Sequence, residues 1–433
     1  MNSRGAWFHS WSAGRTASGT SQERPTADGA GRDASKPVAL WSEPGIAATL
    51  PGLSVLLALT LSGSGKNPDP LPSPSAVRIA VVLAWPVAVY LVARTGRVWI
   101  AAAFCIAAGI LLRWNNFWPG GGSDVLNSVD EALRTLFSGG NPYDHSYVTT
   151  QPAGGVMPYP PAQLLLHLPG WLVGGYQGAR LTELAASIVG MTALAWLALR
   201  FAPAMGLVGL ALYSGLPNLI ELTGDGSNDT SAGVVVLLAI LILAWAARRS
   251  FVGWSAIAAG VAVGLTLATK QSTLLFAITL SFYVFAAHRS ALGRYLAAIA
   301  GTLLVVSIPF LFLGPLAYVH GIAVIPTHTD VYGWNIWVLF KGLGWPLAPT
   351  SLMVTLINLF IPLAVLLAIA RLCARGVGAA VIAGVLTTLA ALLSAPWTTH
   401  AYFALVLAPL AAIPALLAWD LQRNTSSEAT ETA

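Results

Sequence analysis

Apolar runs of about 18 to 22 residues, the length that crosses roughly 30 Å of hydrocarbon, recur along almost the whole chain with short polar breaks between them. Twelve can be drawn, at approximately 45–62, 76–93, 98–113, 179–199, 202–220, 229–247, 252–269, 271–287, 293–313, 351–370, 377–394 and 399–419. The pattern predicts an all-α polytopic membrane protein with about 12 transmembrane helices over 45–419. Two intervals break the rhythm, 113–178 and 314–350, and are expected as long loops on one side that carry interfacial helices. Within the first, "YPPAQLLLHLPGWLVGG" (159–175) is apolar but short and interrupted by Pro169 and glycines. It is expected to lie along the interface rather than cross.

The two ends differ from the rest. Residues 1–44 are Ser, Gly, Thr and Ala with scattered charges and no periodic apolar face, which predicts a disordered cytoplasmic N-terminus. Residues 420–433 read as a short polar cytoplasmic tail. Across the chain 56% of residues are hydrophobic and only 9% charged, against roughly a quarter charged in a soluble globular domain. A net charge of +5 raises the question of nucleic acid, and the distribution of charge answers it. With the N-terminus in the cytoplasm, most of the 22 Lys and Arg fall on the inner loops, the bias that orients multi-pass membrane proteins. No nucleic-acid partner is expected; the reading is a protein of the cell (plasma) membrane with both termini cytoplasmic. Two cysteines, Cys105 and Cys373, give no disulfide framework.

The acids sharpen this picture. All ten Asp and Glu between residues 45 and 419 fall at or near the outer ends of the runs, so the working face is expected outside. Four of them, Asp124, Asp130, Glu131 and Asp144, sit in "SDVLNSVDEALRTLFSGGNPYD" (123–144). Ser123 predicts an N-cap, Val125, Val129, Leu133 and Leu136 lie near one face, and "SGGNPY" ends the helix. Asp124 in the first turn suits the helix dipole as it stands.

Further motifs follow in order. "GGNPYD" comes about fifteen residues after Asp124, then "YPP", then an interfacial apolar stretch and "GARLTEL" with Arg180. Later come "GDGSN" (224–228), "GLTLATKQS" (264–272) and "PWTTHAYFALVLAPL" (396–410). In this order, over about residues 97–419, the chain resembles the GT-C superfamily of integral-membrane glycosyltransferases, and most of all glycosyltransferase family 87, the polyprenyl-phosphate-mannose-dependent mannosyltransferases. The resemblance implies a GT-C type fold and transfer of a sugar from a polyprenyl-phosphate donor to a hydroxyl acceptor, a glycolipid, a cell-wall glycan or an exported metabolite. It implies Asp124 as the catalytic base, with Asp130 as a second candidate because the helix face is not fixed by sequence.

A phosphate leaving group needs cations, and Lys270, Arg180 and His400 are the expected donor-phosphate ligands. Lys270 stands where basic residues are scarce, although a lone Lys at a span end ordinarily just snorkels. Tyr143, Tyr159, His328, Asp330 and Trp334 are expected to bind substrate, since sugar rings pack C–H faces on aromatic planes while hydroxyls meet carboxylates. Tryptophan is equally the residue of membrane interfaces. No HExxH, CxxC or GxxxxGK[ST] pattern is present, so a metal-free enzyme with no cofactor is expected, a divalent cation remaining open, and ATP-driven transport is disfavoured. Two alternatives stand beside this reading. One is a transporter or flippase of lipid-linked sugars, which calls for charge within the spans and for two related halves. The other is an arabinofuranosyltransferase of the same superfamily. The spans read as clean of charge near the bilayer midplane, and no convincing inverted repeat is seen, which favours the enzyme.

Overall fold

The computed structural model describes residues 44–62, 74–117, 122–149, 154–323, 331–345 and 351–431. The disorder expected at 1–44 therefore lies outside the described residues, save Pro44, and so do His328 and Asp330. Nearly all the rest is helix. In chain order these are α1 (Pro44–Ser62), α2 (Pro74–Thr95), α3 (Trp99–Phe117), α4 (Asp124–Phe137), α5 (Pro161–Phe201), α6 (Pro203–Gly215), α7 (Pro217–Asp225) and α8 (Asp229–Arg248). Then follow α9 (Trp254–Thr269), α10 (Leu274–Ala287), α11 (Leu292–Leu313), α12 (Pro315–Ala323), α13 (Ile336–Gly342), α14 (Leu352–Cys373), α15 (Val377–Ser394) and α16 (Ala404–Glu431).

Among the described residues nine helices are long and apolar enough to cross a membrane, and α6 with α7, bent by 47°, would make a tenth. α9 and α10 are apolar but shorter. Each of the twelve apolar runs falls on helix, and the chain is an all-α polytopic membrane protein. The backbone of α16 continues through Asp420 to Glu431, so the polar tail prolongs the last helix.

α8 is the buried centre, packed against α5, α9 and α16, whereas α2, α11 and α14 expose most of their apolar length. Close packing here relies on small residues, because lipid supplies no hydrophobic drive between helices. Gly260 and Gly264, one turn apart on α9, let α11 approach: a Cβ at Gly260 would strike the carbonyl of Tyr295, and one at Gly264 would come within 3.1 Å of the Ile299 carbonyl.

The segment read as interfacial is the first arm of α5. The helix breaks at Gly174 and Gly175, and Gly175 takes φ 56° and ψ −137°, a conformation open to glycine alone in practice. Gly170 and Gly178 then touch backbone to backbone, so that a Cβ on either would strike the other's carbonyl. In a straight helix these residues would stand about 12 Å apart along the axis. The first arm therefore folds back on the second as a hairpin.

Two charges lie buried within the bundle. Arg113 was placed on an outer loop, yet it is fully buried on α3 and donates to the carbonyls of Gly109 (3.2 Å), Ser214 (2.7 Å) and Tyr213 (2.7 Å). Glu183, on the second arm of α5, is equally buried. Polar groups end an apolar run in the sequence, but a side chain that finds enough partners can sit inside the bundle.

Candidate active site

α4 begins where the sequence places it. Ser123 caps it, its Oγ accepting the Leu126 N–H at 3.1 Å, and Leu126, Val129, Ala132 and Leu133 are buried beneath. The Ser123 N–H donates to the Asp225 carbonyl at 2.8 Å, which stitches the start of α4 to the "GDGSN" turn. Gly226 (φ +81°) makes that turn and leaves room for Leu126. Asp124, the first residue of α4, is exposed, and its Oδ1 accepts the neighbouring Val125 N–H at 3.0 Å.

Lys270 follows α9 and turns inward. It is 4% exposed, and its ammonium donates to Asn228 Oδ1 at 2.8 Å and Asp229 Oδ1 at 2.7 Å. The Tyr159 and Tyr402 rings flank it, with centroids 5.6 Å and 5.2 Å from Nζ. A cation beside two aromatic rings and one carboxylate is well stabilised away from water. The next residue, Gln271, donates to the carbonyls of Pro158 and Ile322, which fixes the "MPYPP" segment against the α9–α10 turn.

Asp124 enters the same environment. Burial first, then Tyr402, Asp124 and Asp229, holds the Tyr159 phenol well above its ordinary pKa. The field of Asp124 also reaches Asp229 and Tyr402. Asp124 and Lys270, far apart in sequence, thus lie toward the same end of the bundle, Asp124 within electrostatic reach of the Tyr159, Asp229 and Tyr402 side chains that surround the lysine.

The other expected residues have different surroundings. Asp130 is engaged twice, accepting from Trp171 Nε1 at 2.7 Å and from Arg134 Nε at 2.9 Å, and it ties α4 to the first arm of α5. Arg180 is buried; its Nε donates to the Gly224 carbonyl and its guanidinium lies 4.5 Å from the Phe117 ring centroid. Tyr143 is buried against Phe310 and Tyr318, and its hydroxyl donates to the Tyr159 carbonyl at 2.8 Å. It shapes the loop rather than facing a ligand.

His400 and Trp334 come together, ring centroids 6.3 Å apart and both exposed. Their meeting depends on a two-residue parallel pairing, β1 (Tyr332–Gly333) with β2 (Trp397–Thr398), anchored by buried Trp337, whose Nε1 donates to the Ser394 carbonyl. The turn His400–Phe403 also carries Tyr402, so one short segment serves both the lysine and the aromatic surface.

Sequence reasoning missed three members of this site and one buried pair. Asn228, Asp229 and Tyr402 contact Lys270, and a partial signal existed for Asp229: a carboxylate in the first turn of a very apolar helix needs a cation, though the sequence does not say which one. Behind them His167 Nε2 and Glu183 Oε1 are 3.3 Å apart with both side chains fully buried, within ion-pair range though not aligned as a hydrogen bond. Glu183 Oε2 accepts the Ser231 N–H at 2.9 Å, so this pair braces the first turn of α8. Among the described residues no group of three or more His, Cys, Asp or Glu is placed to hold a metal ion.

The chain is thus a helical membrane protein with a carboxylate, a buried lysine–carboxylate pair and aromatic rings gathered at one end of its bundle. Comparison with known protein families, characterised proteins and solved structures finds no match to it.

Proposed function

We propose that this chain is a membrane glycosyltransferase that moves a sugar, mannose in the first instance, from a polyprenyl-phosphate donor to a hydroxyl acceptor at the outer face of the membrane. The observation that carries the reading is Lys270 held between Tyr159 and Tyr402, with the exposed Asp124 carboxylate within electrostatic reach of both rings. An exposed carboxylate beside a buried ammonium meets the two demands of the reaction. The acceptor hydroxyl attacks the anomeric carbon, its proton passes to Asp124, and the bond from that carbon to the phosphate oxygen breaks to release polyprenyl phosphate. Lys270 would offset charge gathering on the departing phosphate. Trp334 and His400 offer an exposed aromatic surface on which the acceptor glycan would rest.

The test uses membranes from an expressing strain supplied with labelled polyprenyl-phosphate mannose, arabinose or glucose and an extract of lipids and glycans. Label should move to an acceptor with one carrier and stop in Lys270→Met. A wild-type protein that transfers none of the three would sink the reading.

A second reading, a transporter of lipid-linked sugars, is favoured by the buried Arg113 and by the His167–Glu183 pair, because ionisable groups inside a membrane bundle commonly serve transport. Vesicles that move a labelled polyprenyl-phosphate sugar between leaflets without transferring the sugar would select it.

A further inference from the structure

Lys270 raises a question that the proposed chemistry leaves open. The cation meant for the donor phosphate already holds an anion, since its ammonium donates to Asp229 Oδ1 at 2.7 Å and to Asn228 Oδ1 at 2.8 Å. Lysine has three N–H donors, and two are spent on these neighbours. Asp229 is 2% exposed and Lys270 4%, so neither is diverted to solvent. A phosphate that reaches this ammonium must compete with the Asp229 carboxylate.

We propose that Asp229 is the resting counter-ion of Lys270 and a specificity-determining residue, the phosphodiester of the donor taking the place of its carboxylate at the ammonium. This rests on the lipid-phosphate reading of the same site. Three features make the exchange workable. The Tyr159 and Tyr402 rings, with centroids 5.6 Å and 5.2 Å from Nζ, attract the cation whichever anion it holds, so the ammonium keeps its place during the exchange. Asp229 is the first residue of α8, a helix of 20 residues, where the N-terminal dipole favours a carboxylate released from its partner. The ammonium also keeps one anionic partner throughout, the phosphodiester replacing a carboxylate that stays charged at the helix N-terminus.

The retained carboxylate gives selectivity. A diphosphate-linked donor would bring a second negative charge into a site that already feels both Asp229 and Asp124. Like charges in a poorly solvated site repel strongly. The substrate class is therefore a lipid monophosphate sugar, and Asp229 is the residue that rejects the diphosphate.

Thermal unfolding of the purified full-length protein in non-ionic detergent tests this, with polyprenyl phosphate and polyprenyl diphosphate, each as its terminal methyl ester so that they carry one and two negative charges as the sugar-linked donors do, and with polyprenol and inorganic phosphate as further probes. Wild type should be stabilised by polyprenyl phosphate and not by polyprenol, with a weaker response to the diphosphate. Asp229→Asn should melt lower, because it leaves a buried ammonium with no counter-ion. It should bind polyprenyl phosphate about tenfold more tightly or better, respond to the diphosphate, and be rescued by inorganic phosphate. Lys270→Met should respond to none of them, and the double variant Asp229→Asn with Lys270→Met should regain stability without regaining a response.

Should Asp229→Asn not survive solubilisation, it is extracted in phosphate or in chloride, and recovery in phosphate alone supports the exchange. Equal loss in both overturns it. An Asp229→Asn protein that binds polyprenyl phosphate as poorly as Lys270→Met, or no better than wild type, also overturns it, since Asp229 would then present the lysine rather than compete for it. Rescue by inorganic phosphate with no response of any form to polyprenyl phosphate would keep the exchange and remove the lipid-phosphate reading. No response to either probe removes both.

Discussion

The two ends of the helix bundle treat charge in opposite ways. At one end, where α3, α7, α9 and α15 finish, charges meet each other: Lys270 holds Asp229, His167 stands 3.3 Å from Glu183, and Asp124 lies exposed beside them. At the other end, arginines rest on aromatic rings. Arg248 lies 5.4 Å from the Phe201 ring centroid and 5.8 Å from that of Trp419, Arg249 lies 4.7 Å from that of Trp245, and Arg423 Nη1 donates to the Tyr283 hydroxyl at 3.1 Å. Asp420, a carboxylate at that end, accepts the N–H groups of Val377 and Gly378 and caps α15. Stacked arginines and a capping acid give a stable, inert surface suited to lipid headgroups. An exposed acid beside a buried ion pair has no such task, and that contrast identifies the end where chemistry is to be sought.

The comparison breaks most visibly at its two acids. Asp124→Asn should lower transfer by about 10²- to 10⁴-fold, the usual worth of a general base, and leave the melting temperature near that of wild type, because its hydrogen bond is to the adjacent Val125 N–H. Asp420→Ala should do the reverse, costing about 1–2 kcal/mol through loss of the cap while transfer per folded molecule holds. Measuring label transfer and thermal unfolding on both variants reads the two effects separately. Transfer that survives Asp124→Asn would take the chemistry away from this end.

Glu183 tests the depth of the acidic end. Glu183→Ala leaves His167 and the Ser231 N–H buried without their partner, and removing one member of a buried pair typically costs about 3–5 kcal/mol. A large drop in melting temperature is expected, partly recovered in the double variant with His167→Leu, which removes the stranded imidazole. An unchanged melting temperature in Glu183→Ala would mean that the pair does not brace α8.

Much of this architecture is legible in the sequence because lipid imposes a simple rule. Apolar runs of span length had to be helices, and each of the twelve lies on helix. The cap and length of α4 could be read residue by residue, since Ser123 and the "SGG" stop act locally. The hairpin of α5 was half visible, as glycines that forbade a crossing, while the contact of Gly170 with Gly178 had to be seen. What could not be read was pairing across the bundle. Nothing near Lys270 in sequence says that Asp229 is its partner, or that Tyr402, far downstream, covers it. Arg113 was misplaced for the same reason: a charge looks like the end of a run until the carbonyls that receive it are known.

Asp130 is the smallest test and the one that sharpens the choice of base. It shares α4 with Asp124 and differs only in its neighbours, accepting from Trp171 Nε1 at 2.7 Å and from Arg134 Nε at 2.9 Å. Arg134 is largely exposed, so that ion pair contributes at most about 1 kcal/mol. Asp130→Asn keeps an oxygen that can accept from Trp171, and its stability cost should stay within about 1 kcal/mol. Its transfer rate should stay within a few-fold of wild type. A base must be free to take a proton, and this carboxylate is occupied by two donors, whereas among the described residues Asp124 accepts just its neighbour's amide. A loss of transfer in Asp130→Asn as deep as in Asp124→Asn would mean that the two acids act as a unit, and the distinction drawn from their hydrogen bonds would fall.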